Sequence, residues 1–141
     1  MILVTGASGF LGSAIVRKLI NRGHDVRAMV RQTSDCSNLV GLKLDIVEGD
    51  LLDKASLKLA LKDCSGLFHV AADYRLWAPD PEPMFKANIS GTIAVLLAAR
   101  ECGVKKIVYT SSVAVLGNLP GDLSANENTP VNFKDWSILV G

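Results

Sequence analysis

The residues of this chain best suited to chemistry stand near its amino terminus. Gly6, Gly9 and Gly12, spaced Gly-x-x-Gly-x-x-Gly within Gly6-Ala7-Ser8-Gly9-Phe10-Leu11-Gly12, follow the apolar run Met1-Ile2-Leu3-Val4 and open an amphipathic stretch. A strand that turns through glycine into a helix presents bare backbone N–H groups and the positive end of the helix dipole, a setting for phosphate oxygens. The three glycines serve separate purposes, namely a tight turn, close approach of backbone to an anion, and close contact of helix with sheet. No Gly-Lys-Ser/Thr follows, which disfavours a P-loop and leaves the pyrophosphate of a dinucleotide as the better ligand. Three loop glycines also arise by chance, so the weight rests on the strand-turn-helix setting.

Further candidates follow along the chain. At the end of the second expected strand, where an acidic residue would hold ribose hydroxyls, stands Arg31, with Thr33 and Ser34 close behind. Arginine there suits a ribose phosphate, which favours NADP over NAD. Asp35 offers the alternative of a carboxylate folded back onto a ribose, and a merely solvated arginine is the plain reading. Asp50, in Glu48-Gly49-Asp50-Leu51, could accept from an adenine amino group or cap a turn. His69 lies in the apolar run Phe68-His69-Val70-Ala71-Ala72 and reads as a satisfied core histidine without a chemical role.

These residues need elements to position them. Leu11, Ile15 and Leu19 repeat at helical spacing, and Gly23 follows as a left-handed terminator, so the first helix is expected to end near Arg22. Strands are expected at Val26 to Val30, Leu44 to Val47, Gly66 to Val70 and Ile107 to Thr110. Asp53 should cap a helix containing Leu57 and Leu61, and Met84 to Arg100 should form a longer helix ended near Gly103. Strands alternating with helices imply parallel pairing through right-handed crossovers. The expected fold is α/β: a Rossmann-type, doubly wound parallel sheet of order 3-2-1-4-5 in a three-layer αβα arrangement. Residues 1–117 are expected to form the NAD(P)-binding domain. Residues 118–141 read as a loop-rich tail whose Phe133, Trp136, Ile138 and Leu139 either cover part of the core or stay exposed.

The 141 residues are 49% hydrophobic with a formal net charge of +1, which suits one globular domain and gives no reason to expect nucleic acid as partner. Cys36, Cys64 and Cys102 contain no Cys-x-x-Cys pair, so neither a disulfide framework nor a zinc site is suggested, and buried reduced thiols are expected. The run Ile93 to Ala99 is too short to span a bilayer, and Met1 opens a strand without a basic leader, so no membrane span and a cytoplasmic protein are expected.

The ordered set Thr5 to Gly12, Gly49-Asp50-Leu51, His69-Val70-Ala71-Ala72, Asn88-Ile89-Ser90-Gly91-Thr92 and Tyr109-Thr110-Ser111-Ser112 resembles the extended short-chain dehydrogenases/reductases, the NAD-dependent epimerase/dehydratase family. Ala71 to Trp77 and Val113 to Gly117 resemble its dihydroflavonol-4-reductase-like branch, especially the hopanoid-associated sugar epimerases. The resemblance implies pyrophosphate contacts from Gly6, Ser8, Gly9, Phe10, Leu11 and Gly12, Arg31 at the ribose phosphate, and Asp50 and Leu51 beside adenine. It implies Val70, Ala71 and Ala72 along the ribose-nicotinamide side, Ser111 orienting the cofactor, and Ser112 as the catalytic serine at the substrate oxygen. Asn88 matches a central-helix asparagine that holds backbone or water, or packs. A small-molecule substrate and a homodimer are implied with it.

One departure stands out. The family needs a Tyr-x-x-x-Lys pair for proton transfer, whereas Tyr74 and Tyr109 are the tyrosines here and neither is followed by lysine at that spacing. The chain is therefore expected to be the front part of a longer enzyme, short of that pair and inactive alone. The competing readings are a non-catalytic NADP(H)-binding or regulatory module, and a structural subunit with an open sheet edge.

Overall fold

A computed structural model of the chain describes residues 1–75, 77–117, 119–121 and 123–131. Phe133, Trp136, Ile138 and Leu139 of the expected tail lie outside the described residues, as does Leu76. The chain divides into two compact units, Met1–Tyr109 and Thr110–Gly141.

The first unit holds strands β1 (Ile2–Thr5), β2 (Val26–Val30), β3 (Asp45–Glu48), β4 (Gly66–His69) and β5 (Lys106–Tyr109). They form one sheet of order β3-β2-β1-β4-β5, parallel throughout, as the alternation of strand and helix requires. Successive side chains on a strand face opposite sides, so each strand feeds two cores. Leu3, Met29 and Leu67 face helices α2 (Lys54–Leu61) and α4 (Gly91–Glu101), packing on Leu57, Leu61, Val95 and Ala98. Val4, Val26 and Ala28 face helix α1 (Phe10–Asn21), packing on Val16 and Leu19. Helices on both faces complete the three-layer Rossmann-type fold.

Local signals set the element ends. The Asp53 side chain accepts the Ala55 N–H and caps α2. Gly23 and Gly103 take φ of +79° and +74° just past α1 and α4, the left-handed region that stops a helix without a Cβ penalty. The long central helix departs from expectation. It starts earlier, as the short α3 (Glu82–Phe85) after Asp80 accepts the Glu82 N–H, and passes through a π-helical turn at Lys86–Ser90 before α4. Periodicity at 3.6 residues carries no signal for such a turn. The thiols also depart: Cys64 is buried, but Cys36 is half-buried and Cys102 exposed, all three free. Burial pushes the Cys64 thiol up from its usual range.

The second unit contains a short 3₁₀ turn, Val113–Val115. A Cβ at Gly117 would lie 2.0 Å from the Pro130 carbonyl oxygen, so two of its segments meet backbone to backbone.

Arg27 on β2 ties the sheet to α2. Its guanidinium donates to the Asp45 carboxylate at 2.6 Å and to the carbonyls of Ala60 and Lys62 at 3.0 and 2.8 Å, with a side chain 17% exposed. Those carbonyls lie where α2 ends and lack intrahelical donors. Arg27→Met, which keeps the apolar stem, should cost about 2 kcal/mol. Urea denaturation is expected to show a lower midpoint at unchanged slope.

Candidate functional site

At Gly6 the chain leaves β1 with φ +65° and presses against the segment after β4: a Cβ there would sit 2.7 Å from the Ala71 nitrogen. Gly12 is tighter still, its Cβ position 2.0 Å from the Gly6 carbonyl oxygen. Gly6 therefore makes the turn and Gly12 the close packing of helix on loop. Gly9 is different. Its Cβ position touches only the Gly6 oxygen, at 3.3 Å, and faces outward on an exposed residue. That is the position whose bare backbone an outside ligand could approach.

Gly9 is also the N-cap of α1 and offers no side-chain cap, and the first turn carries no acidic residue. The Ser13 N–H bonds back to Gly9, so the N–H groups of Phe10, Leu11 and Gly12 ahead of it have no intrahelical acceptor. Phe10 is 93% exposed and Leu11 half-exposed, their side chains turned out from the core. An anion is the natural partner of this end. Ser8 is held from the neighbouring loop, its carbonyl accepting from the Asn38 amide at 3.0 Å while the Asn38 carbonyl accepts from Arg17 of α1.

A cleft of about 510 Å³ opens at the carboxyl ends of β2 and β3, lined among others by Arg31, Thr33, Glu48, Asp50 and Ser56. Arg31 and Asp50 are thus brought together by the Val30 to Glu48 rung of the sheet. Asp50 also accepts the Leu52 N–H at 2.8 Å, the turn-capping alternative. Leu51 packs against Gly91 of α4, where a Cβ would be 2.9 Å away. Asp35 is committed elsewhere: its carboxylate accepts the Ser37 N–H at 2.9 Å, which holds its pKa below the usual range. It does not line the cleft.

Val70 and Ala71 follow β4, half-buried, with Ala72 exposed beyond them. Asn88, in the π-helical turn, grips the backbone of Asp73 from both sides, accepting its N–H at 2.8 Å and donating to its carbonyl at 2.7 Å. Of its two sequence readings, holding backbone is the geometry found. The Asp73 carboxylate pairs with Arg75, whose guanidinium holds it below its ordinary pKa. Tyr74 and Trp77 are exposed at 89% and 77%. Ser111 and Ser112 belong to the second unit. The Ser112 hydroxyl accepts the Ala114 N–H at 3.2 Å, capping the 3₁₀ turn, and its proton remains to be donated.

Residues 2–135 match the NAD dependent epimerase/dehydratase family. This chain belongs to that family. It is 46% identical over 114 residues to a putative dihydroflavonol 4-reductase from Synechocystis sp., covering 81% of this chain and 33% of the relative. It is 40% identical over 130 residues to sterol demethylase protein B from Methylococcus capsulatus, covering 92% of this chain and 39% of that protein. The solved structure of UDP-glucose 4-epimerase from Thermus thermophilus in complex with NAD matches with a TM-score of 0.83 at 31% identity, over 93% of this chain and 44% of that one. The family member described here thus spans between a third and two fifths of the length of these two curated relatives. Relatives named dihydroflavonol 4-reductase accord with the branch read from Ala71 to Trp77 and Val113 to Gly117. Among the described residues, no cluster of His, Cys, Asp and Glu is arranged to hold a metal, and no helix is long and apolar enough to cross a membrane.

Sequence reasoning overlooked Asn38, Ser56 and Glu48. Ser56 accepts the Asp50 N–H at 3.1 Å and so shapes the cleft floor, but nothing in the sequence says which loop a polar side chain six residues on will reach. Glu48, at the end of β3 on the edge expected for it, was given no role, yet it lines the same cleft as Arg31.

His69 is fully buried, its Nδ1 2.8 Å from the Thr5 hydroxyl and its Nε2 3.1 Å from that of Thr92 on α4. Burial pulls its pKa below the ordinary 6.5. Because the unfolded chain then takes up a proton that the folded histidine refuses, stability falls as pH drops below 6.5. Denaturation midpoints compared between about pH 7 and pH 5 should show a loss that is smaller in His69→Asn than in the parent. Gly12→Ala should cost about 2–3 kcal/mol through the clash with Gly6, measurable by thermal unfolding.

Proposed function

We propose that the chain is the NADP(H)-binding portion of a family enzyme that acts by hydride transfer on a hydroxyl or ketone of a sugar-like or polycyclic small molecule, as a reductase or epimerase. The reading is carried by one observation, the amino end of α1 without a side-chain cap above a loop that admits no side chain at Gly6 or Gly12. In it the N–H groups of Phe10, Leu11 and Gly12, with bare Gly9 and the Ser8 segment, hold the pyrophosphate. Arg31 meets the ribose 2′-phosphate with a planar fork of donors, and Thr33 adds a hydroxyl. Asp50, which lines the same cleft, and Leu51 next to it in the chain border adenine. Val70, Ala71 and Ala72 line the path toward the ribose-nicotinamide half.

Bound, the nicotinamide supplies a carbon that gives or takes hydride. The Ser112 hydroxyl then holds the substrate oxygen by donating its proton, which stabilises charge developing there, while Ser111 orients the ring. The substrate class is supported by relatives named for dihydroflavonol, sterol and UDP-glucose. No residue of this sequence is assigned the proton transfer, since Tyr74 and Tyr109 have Ala78 and Val113 where lysine would stand. The second reading is a non-catalytic NADP(H)-binding or regulatory module. A homodimer is the assembly we favour, supported by the exposed Ile89, Ile93 and Leu97 along the central helix.

Equilibrium titration with NADPH and NADH tests the cofactor assignment. An arginine-phosphate pair of about 2 kcal/mol predicts NADPH binding roughly 30-fold tighter. Arg31→Asp should abolish that preference with little change in NADH affinity. Equal binding of the two nucleotides, or a preference that survives the substitution, would remove Arg31 from the role.

A further inference from the structure

Where β1 turns away at Gly6, the chain after β4 loses its ladder partner on that side. The last rung between the two strands pairs Thr5 with His69. The next two N–H groups of the β4 segment, those of Val70 and Ala71, both donate to the Thr5 hydroxyl, at 3.2 and 3.3 Å. A hydroxyl oxygen has two lone pairs, and these two donors take both. Its third contact, 2.8 Å to His69 Nδ1, must then use the hydroxyl's own proton, with Nδ1 accepting. A neutral imidazole accepting at Nδ1 carries its proton at Nε2, where the Thr92 hydroxyl stands 3.1 Å away to receive it. The count of donors and acceptors fixes the tautomer.

We propose that His69 is a positioning residue for the nucleotide cleft: as an Nδ1 acceptor it orients the Thr5 hydroxyl, and the hydroxyl pins the Val70–Ala71 segment against Gly6. A proton at Nδ1 would bring a third donor to an oxygen with two lone pairs, and one backbone N–H would lose its partner. The segment has no slack to absorb that loss, because the Gly6 Cβ position is already 2.7 Å from the Ala71 nitrogen. The groups that face the ring are Thr5 from β1, Thr92 from α4 and Tyr109 from β5, stacked with centroids 5.5 Å apart. Tyr109 is the titratable one, and desolvation alone lowers the histidine's pKa. The role assigned to His69 rests on the cofactor reading above, because it positions the rim that the pyrophosphate would share with Val70 and Ala71.

The test joins spectroscopy to binding. Nitrogen-15 NMR of the labelled protein near neutral pH should show His69 protonated at Nε2 and bare at Nδ1. His69→Asn, which keeps an acceptor near the Nδ1 position, should bind NADPH within about threefold of the parent, whereas His69→Phe, which keeps the ring but accepts nothing, should weaken it about tenfold. If His69→Phe does not fold, Thr5→Ser against Thr5→Val poses the same question, with the serine variant expected to retain affinity and the valine variant to lose it. An Nδ1-protonated histidine, or His69→Phe and Thr5→Val binding as tightly as the parent, would overturn the proposal. A parent that binds no NADPH while showing the Nε2 tautomer would instead overturn the cofactor reading and leave the Thr5–His69 geometry standing.

Discussion

Backbone meets backbone at Gly6, and the architecture of the carboxyl edge depends on that contact. The residue turns left-handed directly after β1, lies against Ala71 on one side and supports Gly12 on the other. A side chain at Gly6 would collide with the Val70–Ala71 backbone, and one at Gly12 would push α1 away from the loop. With both bare, the helix begins directly above the central strand, and its first N–H groups point out of the sheet at the place where two strand ends diverge. The switch of chain direction between β1 and β4 is the crevice in which open α/β sheets take their ligands.

Around that turn the rim is held by small polar side chains that reach backbone. Asn38 holds Ser8, Ser56 holds Asp50, Thr5 holds Val70 and Ala71, and Asn88 holds Asp73. Each meets a peptide group beyond the end of a strand, where no ladder partner is at hand, and such groups need one. The effect is a set of loops fixed relative to the sheet although none is itself regular. Arg31 and Glu48 line the cleft on this frame.

Much of this frame was legible in the chain. Apolar runs alternating with helical periodicity led to five parallel strands in the order found, because right-handed crossovers leave few other arrangements. Asp53 as a cap and Gly23 and Gly103 as stops were readable for the same reason, each acting on backbone within a few residues of itself. The π-helical turn at Lys86–Ser90 was not, nor the exposed Cys102, nor the binding of Asp35 to Ser37 in place of the cleft. In each of these the outcome turns on competition between near-equal local options, which a pattern of hydrophobicity does not weigh. His69 was read as a satisfied core histidine, and the hydroxyls that satisfy it, those of Thr5 and Thr92, stand on other elements.

The sequence by itself determined the order of strands and helices, and that a glycine-lined loop opens the first helix, because those follow from sterics and periodicity acting between near neighbours. Only the tertiary structure decided which side chains hold which backbone: Asn38 on Ser8, Asn88 on Asp73, Thr5 between His69 and Ala71. Those meetings join residues distant along the chain, and they are set by strand register and by the packing of α4 on the sheet, which emerge from the whole chain at once.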